Sequence, residues 1–380
     1  MTEQFSKIDV SSHEIPALDG LRGLLALWVV LGHASIYCGV NIAVLNSPGL
    51  AVVGFMMLSG FLMAFHYRIR EAKEPWESPY TWLKFFMRRF FRLAPLYYFL
   101  LAISISLNDF FSFAEVKSLA ALNPNVEYND AKVIGLKSIL LHISFLFSAF
   151  PSEANNNSLP DWSLGLEMQF YAAFPFLMLA YRRIGALLFG LLCLAVYAAA
   201  QHCCSAPYVF PSILPLTITM FAVGMVISES YLSTDIVSKS YLLIVALLIL
   251  TLLMPPALRL TAFVIVISVN LGTMAPLIAG SFGSRLVRLA GGRTLRTLGD
   301  LSYSIYLLHP LILYPLLYCL TRIPIFVAMS PLSRFAILAP ILAVLCYATA
   351  FFTYRFIEIP FIAFGRTLIS GEKLNKLPAE

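Results

Sequence analysis

Apolar runs long enough to cross a hydrocarbon core of about 30 Å recur along this chain. They fall at about 20–38, 49–67, 90–107, 162–181, 184–201, 208–228, 241–256, 258–280, 300–320 and 334–357. The run at 241–256 is short, and Pro255-Pro256 fixes its end because proline cannot continue a helix. A further apolar stretch, 134–150, is ambiguous. Lys and Arg cluster in 68–92, at Arg182-Arg183, between Arg285 and Arg296, and after 357. Placing all four clusters on the cytoplasmic side requires an even number of crossings between each pair. The pattern therefore predicts an all-α polytopic membrane protein of about ten transmembrane helices. Both termini are expected in the cytoplasm, with a long outer loop at 108–161 and a re-entrant or interfacial helix at 134–150. The internal repeat that marks many transporters is not visible.

Composition supports a lipid environment: 59% of the residues are hydrophobic and only 12% are charged, with a mean hydropathy of +0.82. Soluble domains carry about twice that charged fraction. The net charge of +6 does not point to nucleic acid, because the basic residues sit beside the spans. Cys38, Cys193, Cys203, Cys204, Cys319 and Cys346 show no CxxC spacing. They read as small hydrophobes, with no metal site and no disulfide framework. Residues 1–15 lack a basic lead into a short apolar core, so the first span reads as a retained helix rather than a signal peptide.

Against this background, ionisable groups inside spans are the candidate chemistry. Arg22 and His33 lie eleven positions apart in LDGLRGLLALWVVLGHAS. On a helix both project from nearly one face, roughly 16 Å apart along the axis. The plainer alternative is a headgroup anchor and a satisfied buried imidazole. In RRFFR, residues 88–92, Arg89 and Arg92 are spaced to face one anion, and arginine forks suit phosphate. Positive-inside anchoring explains the same motif, and Arg88 best of the three. In DWSLGLEMQFYAAFPF, Asp161 or Ser163 can cap a helix, and Ser163 shares a face with Glu167. Counted from the helix start, Glu167 would sit roughly 7 Å below the outer end. In LGDLSYSIYLLHPLILY, His309 lies near mid-depth and Pro310 frees a carbonyl nearby, with Tyr303 and Tyr306 closer to the cytoplasmic end. His309 can be a second catalytic group or a structural hydrogen-bonder. Arg355 and Glu358 are expected to form a local interfacial ion pair. His13, His66, His142 and His202 stand near span ends or in loops.

These pieces combine into one site. Arg22, Arg89 and Arg92 could hold the phosphates of an anionic donor, with His33 roughly 16 Å deeper at the donor's reactive end. An extended pantetheine arm is of that length, so an acyl-CoA fits. A polar cavity at Glu167, facing outward, could admit an acceptor hydroxyl, and a neutral His33 could remove its proton.

Six segments in order, LDGLRGLLALWVVLGH, GFMMLSGFLMA, RRFFRLAPLYY, WSLGLEMQFY, LGDLSYSIYLLHP and YRFIEIP, resemble the signature segments of the acyltransferase-3 family. These are bacterial-type integral membrane O-acyltransferases acting on surface glycans and, in some members, antibiotics or lipids. The resemblance runs from about 16 to 362, within one domain over 1–380 and with short cytoplasmic tails at 1–15 and 363–380. It implies transfer of an acyl group, commonly acetyl, from cytoplasmic acyl-CoA to a hydroxyl of a glycan or other acceptor. Acyl-CoA is then a co-substrate, with no permanently bound cofactor, and the location is the bacterial inner membrane. The family's Arg-x10-His pattern falls on Arg22 and His33, its RxxR on Arg89 and Arg92, and its SxxxE on Ser163 and Glu167. His33 and Glu167 take the catalytic roles, and the three arginines bind the donor. Ser163, His309 and Tyr303 are the expected substrate contacts. A second acidic or amide residue commonly follows the family's glutamate; here it is Met168. The fused hydrolase-like domain of some relatives is not expected. The rival class is a proton-coupled transporter or flippase using the buried His and Glu.

Overall fold

The computed structural model describes residues 15–123, 132, 134–253 and 288–370, and these form helices with no strand among them. Helix α1 (Pro16–Cys38) begins on a proline, whose missing N–H would have had no helical partner there. It ends at Gly39, where φ is 76°, and the Val40 amide donates back to the Ser35 carbonyl at 3.0 Å. Helices α2 (Pro48–Arg70) and α3 (Pro79–Ser106) also start on proline. A 73° bend leads from α3 into α4 (Asn108–Leu122). Next come α5 (Leu136–Ile143) and a 3-10 turn at Phe147–Ala149.

Helix α6 (Trp162–Cys204) contains 43 residues, broken at Gly185 with φ 76° and ψ 170°. Only glycine adopts that conformation readily. At about 1.5 Å per residue the whole would reach roughly 65 Å, twice a hydrocarbon core. The break falls at the start of the second of the two runs predicted at 162–181 and 184–201. A 3-10 turn at Leu214–Leu216 leads into α7 (Ile218–Leu232) and α8 (Ile236–Leu253). The last elements are α9 (Arg293–Asp300), α10 (Ser302–Thr321), α11 (Pro324–Ala328) and α12 (Pro331–Thr353). A π-helical turn, Tyr354–Glu358, then passes into α13 (Ile359–Ser370).

Five of these helices are long and apolar enough to cross a membrane, or six if the bent α3–α4 pair is one span. The expected count of about ten is not confirmed among the described residues. The two arms of α6, separated by the break at Gly185, together make one of the five, and α7 and α8 are shorter apolar helices. The run at 258–280 lies outside the described residues, as do 1–14 and 371–380. The 134–150 stretch folds as the eight-residue α5 plus the 3-10 turn, and a helix of about 12 Å cannot cross. The expected outer loop at 108–161 holds α4 and α5, and α13 carries helix through 363–370.

Helix pairs approach closely through glycine. A Cβ on Gly60 would lie 2.1 Å from the Phe221 carbonyl oxygen, and one on Gly224 would lie 2.0 Å from that of Met57. Lipid supplies no hydrophobic drive for helix association, so backbone contact of this kind replaces it. The α1–α9 crossing uses the same device: a Cβ on Gly299 would lie 2.0 Å from the Asp19 carbonyl oxygen. This locks the end of α1 that carries Arg22. Helix α1 also packs on α2, α10 and α12. Large apolar side chains such as Val344 and Phe356 point outward, at 67% and 70% exposure. The chain is an integral membrane protein, and its outer surface is solvated by lipid.

Candidate active site

Two cavities meet inside the bundle. One, of about 140 Å³, is lined by Arg22, Arg89, Arg92, Ser163, Glu167 and Tyr303. The other, of about 450 Å³, is lined by His33 and His309. Val52, Met56 and Tyr306 belong to both walls, so the cavities adjoin. Every residue given a catalytic, donor-binding or substrate-contact role from sequence lines one or the other.

The arginine cavity carries more positive charge than its carboxylates compensate. Arg92 Nη1 is 3.4 Å from Glu358 Oε2. Arg22 and Arg89 have no carboxylate within 4.0 Å among the described residues. Arg89 lies over the Tyr171 ring at 5.8 Å, and its buried Nε has no hydrogen-bond partner among the described residues. Burying a guanidinium without a partner is costly, and an anionic ligand would relieve that cost. Arg88 belongs elsewhere: its Nη1 donates to Glu74 Oε1 at 3.1 Å. Burial alone would raise the Glu74 carboxyl, but the Arg88 guanidinium outweighs this and holds it below the usual carboxylate range.

Glu358 corrects the expected pairing with Arg355. The π-helical turn at 354–358 shifts the helical register and brings Glu358 inside, at 1% exposure, while Arg355 stays at the surface. Its second oxygen accepts from Ser304 Oγ, which accepts from Thr353 Oγ1 at 3.0 Å.

Glu167 also departs from expectation. It lies in the same cavity as Arg22, Arg89 and Arg92 rather than in a separate one. Its Oε1 accepts from Ser59 Oγ at 3.0 Å and from the Tyr171 hydroxyl. The reason is that α6 starts inside the protein, with Asp161 wholly buried and Trp162 9% exposed. Depth counted from the helix start is therefore not depth from the membrane surface. Nor does the Asp161 side chain cap α6. Instead Oδ2 accepts from the Tyr97 hydroxyl at 3.0 Å and from Asn157 Nδ2 at 2.8 Å. His142 Nε2 stands 3.7 Å from the same oxygen, with its ring stacked on Phe147. His142 is thus a buried structural partner, which its place in an ambiguous apolar stretch did not signal.

The wall between the cavities is pinned by hydroxyls. Tyr306 donates to the Pro160 carbonyl at 3.0 Å, so Ser163 Oγ, 2.7 Å away, donates to Tyr306. Tyr303 donates to the Leu93 carbonyl at 2.8 Å.

Beyond that wall His33 and His309 face each other, with ring centroids 4.9 Å apart. His309 Nδ1 lies 2.6 Å from the Tyr306 carbonyl, which only an N–H can approach so closely. In a neutral ring its Nε2 is then an acceptor. His33 Nδ1 is 3.3 Å from that Nε2 and 2.9 Å from the Val29 carbonyl. Both neighbours are acceptors, so His33 Nδ1 carries the hydrogen. In a neutral ring His33 Nε2 then carries a lone pair with no hydrogen-bond partner among the described residues, in a cavity, the arrangement a general base needs. Tyr37 and Tyr171 were not singled out from sequence, although each lies four positions beyond a site residue on the same face. Ser59 and Glu115 gave no sequence signal, since distant segments bring them to the site.

The described residues thus form a helical bundle in which three arginines line one chamber and two facing imidazoles line the next. Residues 15–352 match the acyltransferase-3 family, described as an acyltransferase domain, and the chain belongs to it. Similar proteins include the regulator of hypoxia-inducible factor 1 of Caenorhabditis elegans, 29% identical over 201 residues, covering 46% of this chain and 35% of that protein. The nose resistant to fluoxetine protein 6 of the same organism is 27% identical over 128 residues, or 27% of this chain and 16% of its own length. Protein 2 in the picA locus of Rhizobium radiobacter is 42% identical over 86 residues, 23% of this chain and 41% of its own. The matched parts thus span less than half of each relative. No solved structure matches the chain.

Proposed function

We propose that the protein moves an acyl group, acetyl in the simplest case, from acyl-CoA to a hydroxyl of a glycan or other acceptor. The observation that carries this reading is the placement of Arg22 and His33 on one face of α1, opening into two adjoining cavities. Arg22, Arg89 and Arg92 bind the donor's phosphates, and the thioester reaches past Tyr306 to His33. Their contribution is mainly orientation. His33 Nε2 removes the acceptor proton as the oxygen attacks the thioester carbonyl. The C–S bond breaks, and the departing thiolate takes the proton back from the imidazolium. Glu167, held by Ser59 and Tyr171, organises the arginine chamber. His309 keeps His33 in the tautomer with the free Nε2. Tyr303 and Ser163 shape the passage between the chambers.

In this reading the arginines face the cytoplasm of a bacterial inner membrane, and both termini lie on that side. The test is release of free CoA thiol by purified protein supplied with acetyl-CoA and a hydroxyl acceptor. Acceptor-dependent release supports acyl transfer. Its absence, with proton-linked uptake in vesicles, would favour a transporter.

A further inference from the structure

Asp161 and His142 line neither cavity, yet the residues around Asp161 (Asn157, Ser158, Leu159, Pro160 and Trp162) wall the larger one. Both side chains are buried. Asp161 Oδ2 draws three segments together: the Tyr97 hydroxyl from α3 at 3.0 Å, the Asn157 amide at 2.8 Å, and His142 Nε2 from α5 at 3.7 Å. The imidazole is itself held in orientation, because Nδ1 lies 2.7 Å from the Ser138 carbonyl and the ring stacks on Phe147. Capping would be the ordinary use of an aspartate just ahead of a helix, but this side chain caps nothing and turns to α3 and α5 instead. A carboxylate this deep is costly to strip of its partners, so the network resists displacement of the backbone it joins.

That backbone sets the geometry of the site. The Asp161 carbonyl accepts from the Leu164 and Gly165 amides at 2.8 and 3.0 Å and so starts α6. One residue earlier, the Pro160 carbonyl accepts from the Tyr306 hydroxyl at 3.0 Å. Two residues later, Ser163 Oγ meets the same hydroxyl at 2.7 Å. Tyr306, on α10, then fixes the imidazoles. Its carbonyl holds His309 Nδ1 at 2.6 Å, and His309 Nε2 lies 3.3 Å from His33 Nδ1. A continuous run of contacts leads from His142 through Asp161 and Tyr306 to His33.

We infer that Asp161 and His142 are positioning residues for the transfer reaction, anchoring the strap 157–163 so that Tyr306 holds His309 and His33 in register. This rests on the acyl-transfer reading for what His33 does. Neither residue touches substrate. The donor arginines stand outside the run of contacts: Arg22 is on α1, and Arg89 and Arg92 lie more than a turn ahead of Tyr97 on α3. Loss of the anchor therefore acts on turnover rather than on donor binding.

The experiment measures kcat per folded molecule and the KM for acetyl-CoA in the purified full chain, with thermal unfolding in detergent as a second readout. Asp161→Leu removes the acceptor for Tyr97 and Asn157 and should lower kcat by about 10- to 100-fold, leaving the donor KM unchanged. Asp161→Asn keeps an oxygen for both donors and should restore most of that loss. His142→Leu should lower kcat by less than Asp161→Leu, again without moving the donor KM, and it replaces Asp161→Leu throughout if that variant does not fold. A double-mutant cycle joins Asp161→Leu to Tyr306→Phe, which lacks the hydroxyl that the strap holds. Their losses in kcat should overlap rather than multiply, whereas those of Asp161→Leu and Arg89→Ala should multiply in kcat/KM. The proposal is overturned if kcat per folded molecule stays at the wild-type value, if the donor KM rises instead, or if the losses with Tyr306→Phe multiply. A wild type that transfers no acyl group would defeat the acyl-transfer reading, and the same cycle read on unfolding then decides the anchor: overlapping losses retain it, additive ones overturn it.

Discussion

His309 Nε2 lies 3.3 Å from the same His33 nitrogen that faces the Val29 carbonyl at 2.9 Å. The second histidine therefore acts on the first through its tautomer rather than through charge. His33→Ala should lower the acyl-transfer rate by about 10²- to 10⁴-fold. His309→Leu removes the acceptor and should cost about tenfold, whereas His309→Gln keeps a carbonyl acceptor and should retain more activity. The comparison is made on kcat with saturating acetyl-CoA. Equal rates for the two His309 variants would rule out tautomer control.

The three arginines should separate from Arg88 in donor binding. Arg89→Ala and Arg22→Ala each remove charge-assisted contacts to phosphate, which should raise the KM for acetyl-CoA by about 10- to 100-fold. Arg88→Ala should leave that KM unchanged, because its guanidinium is taken up by Glu74. Glu358→Gln frees Arg92 from its carboxylate and should alter the donor KM without altering the acceptor KM. Initial-rate measurements with each substrate varied in turn decide this. Equal losses toward both substrates would indicate a folding defect.

The sequence was most legible where one helix carries the information. Arg22 and His33 needed only helical periodicity, and Arg89 and Arg92 only an i, i+3 spacing. Most apolar runs did become helices. Depth was not legible, because Glu167 was measured from a helix start that proves to be buried. Pairing was not legible either: Glu358 turned to Arg92 through a π-helical turn that no local pattern announces. Asp161 looked like a cap and instead joins Tyr97, Asn157 and His142. In each case a contact across tens of residues displaced the local expectation.

The α2–α7 crossing makes a sharp stability prediction. Gly60→Ala would drive a methyl to 2.1 Å from the Phe221 carbonyl oxygen, and Gly224→Ala to 2.0 Å from that of Met57. Backbone on both sides leaves nothing flexible to yield, so each should destabilise by about 1–3 kcal/mol or more. Gly49→Ala, which meets nothing within 4 Å, is the control and should be neutral. Thermal unfolding in detergent reads the difference. A Gly224→Ala protein as stable as the Gly49→Ala protein would mean that these helices do not touch as described.

The Arg88–Glu74 pair predicts a pH-dependent contribution to stability. The Glu74 carboxyl is held below the usual range in the folded protein, despite partial burial, by the neighbouring guanidinium. A depressed carboxylate stabilises the fold above its unfolded value of about 4.3 and loses that contribution as pH falls through the folded value. Because the pair is partly solvated, its worth is under about 1 kcal/mol, or about 1–2 °C in Tm for a chain of this size. Arg88→Ala should therefore lower Tm slightly at pH 7, and the deficit should shrink as pH falls through the lowered folded value of Glu74. Unfolding curves across that range check the sign. A deficit that grows as pH falls would show that Arg88 stabilises the loop through packing rather than through Glu74.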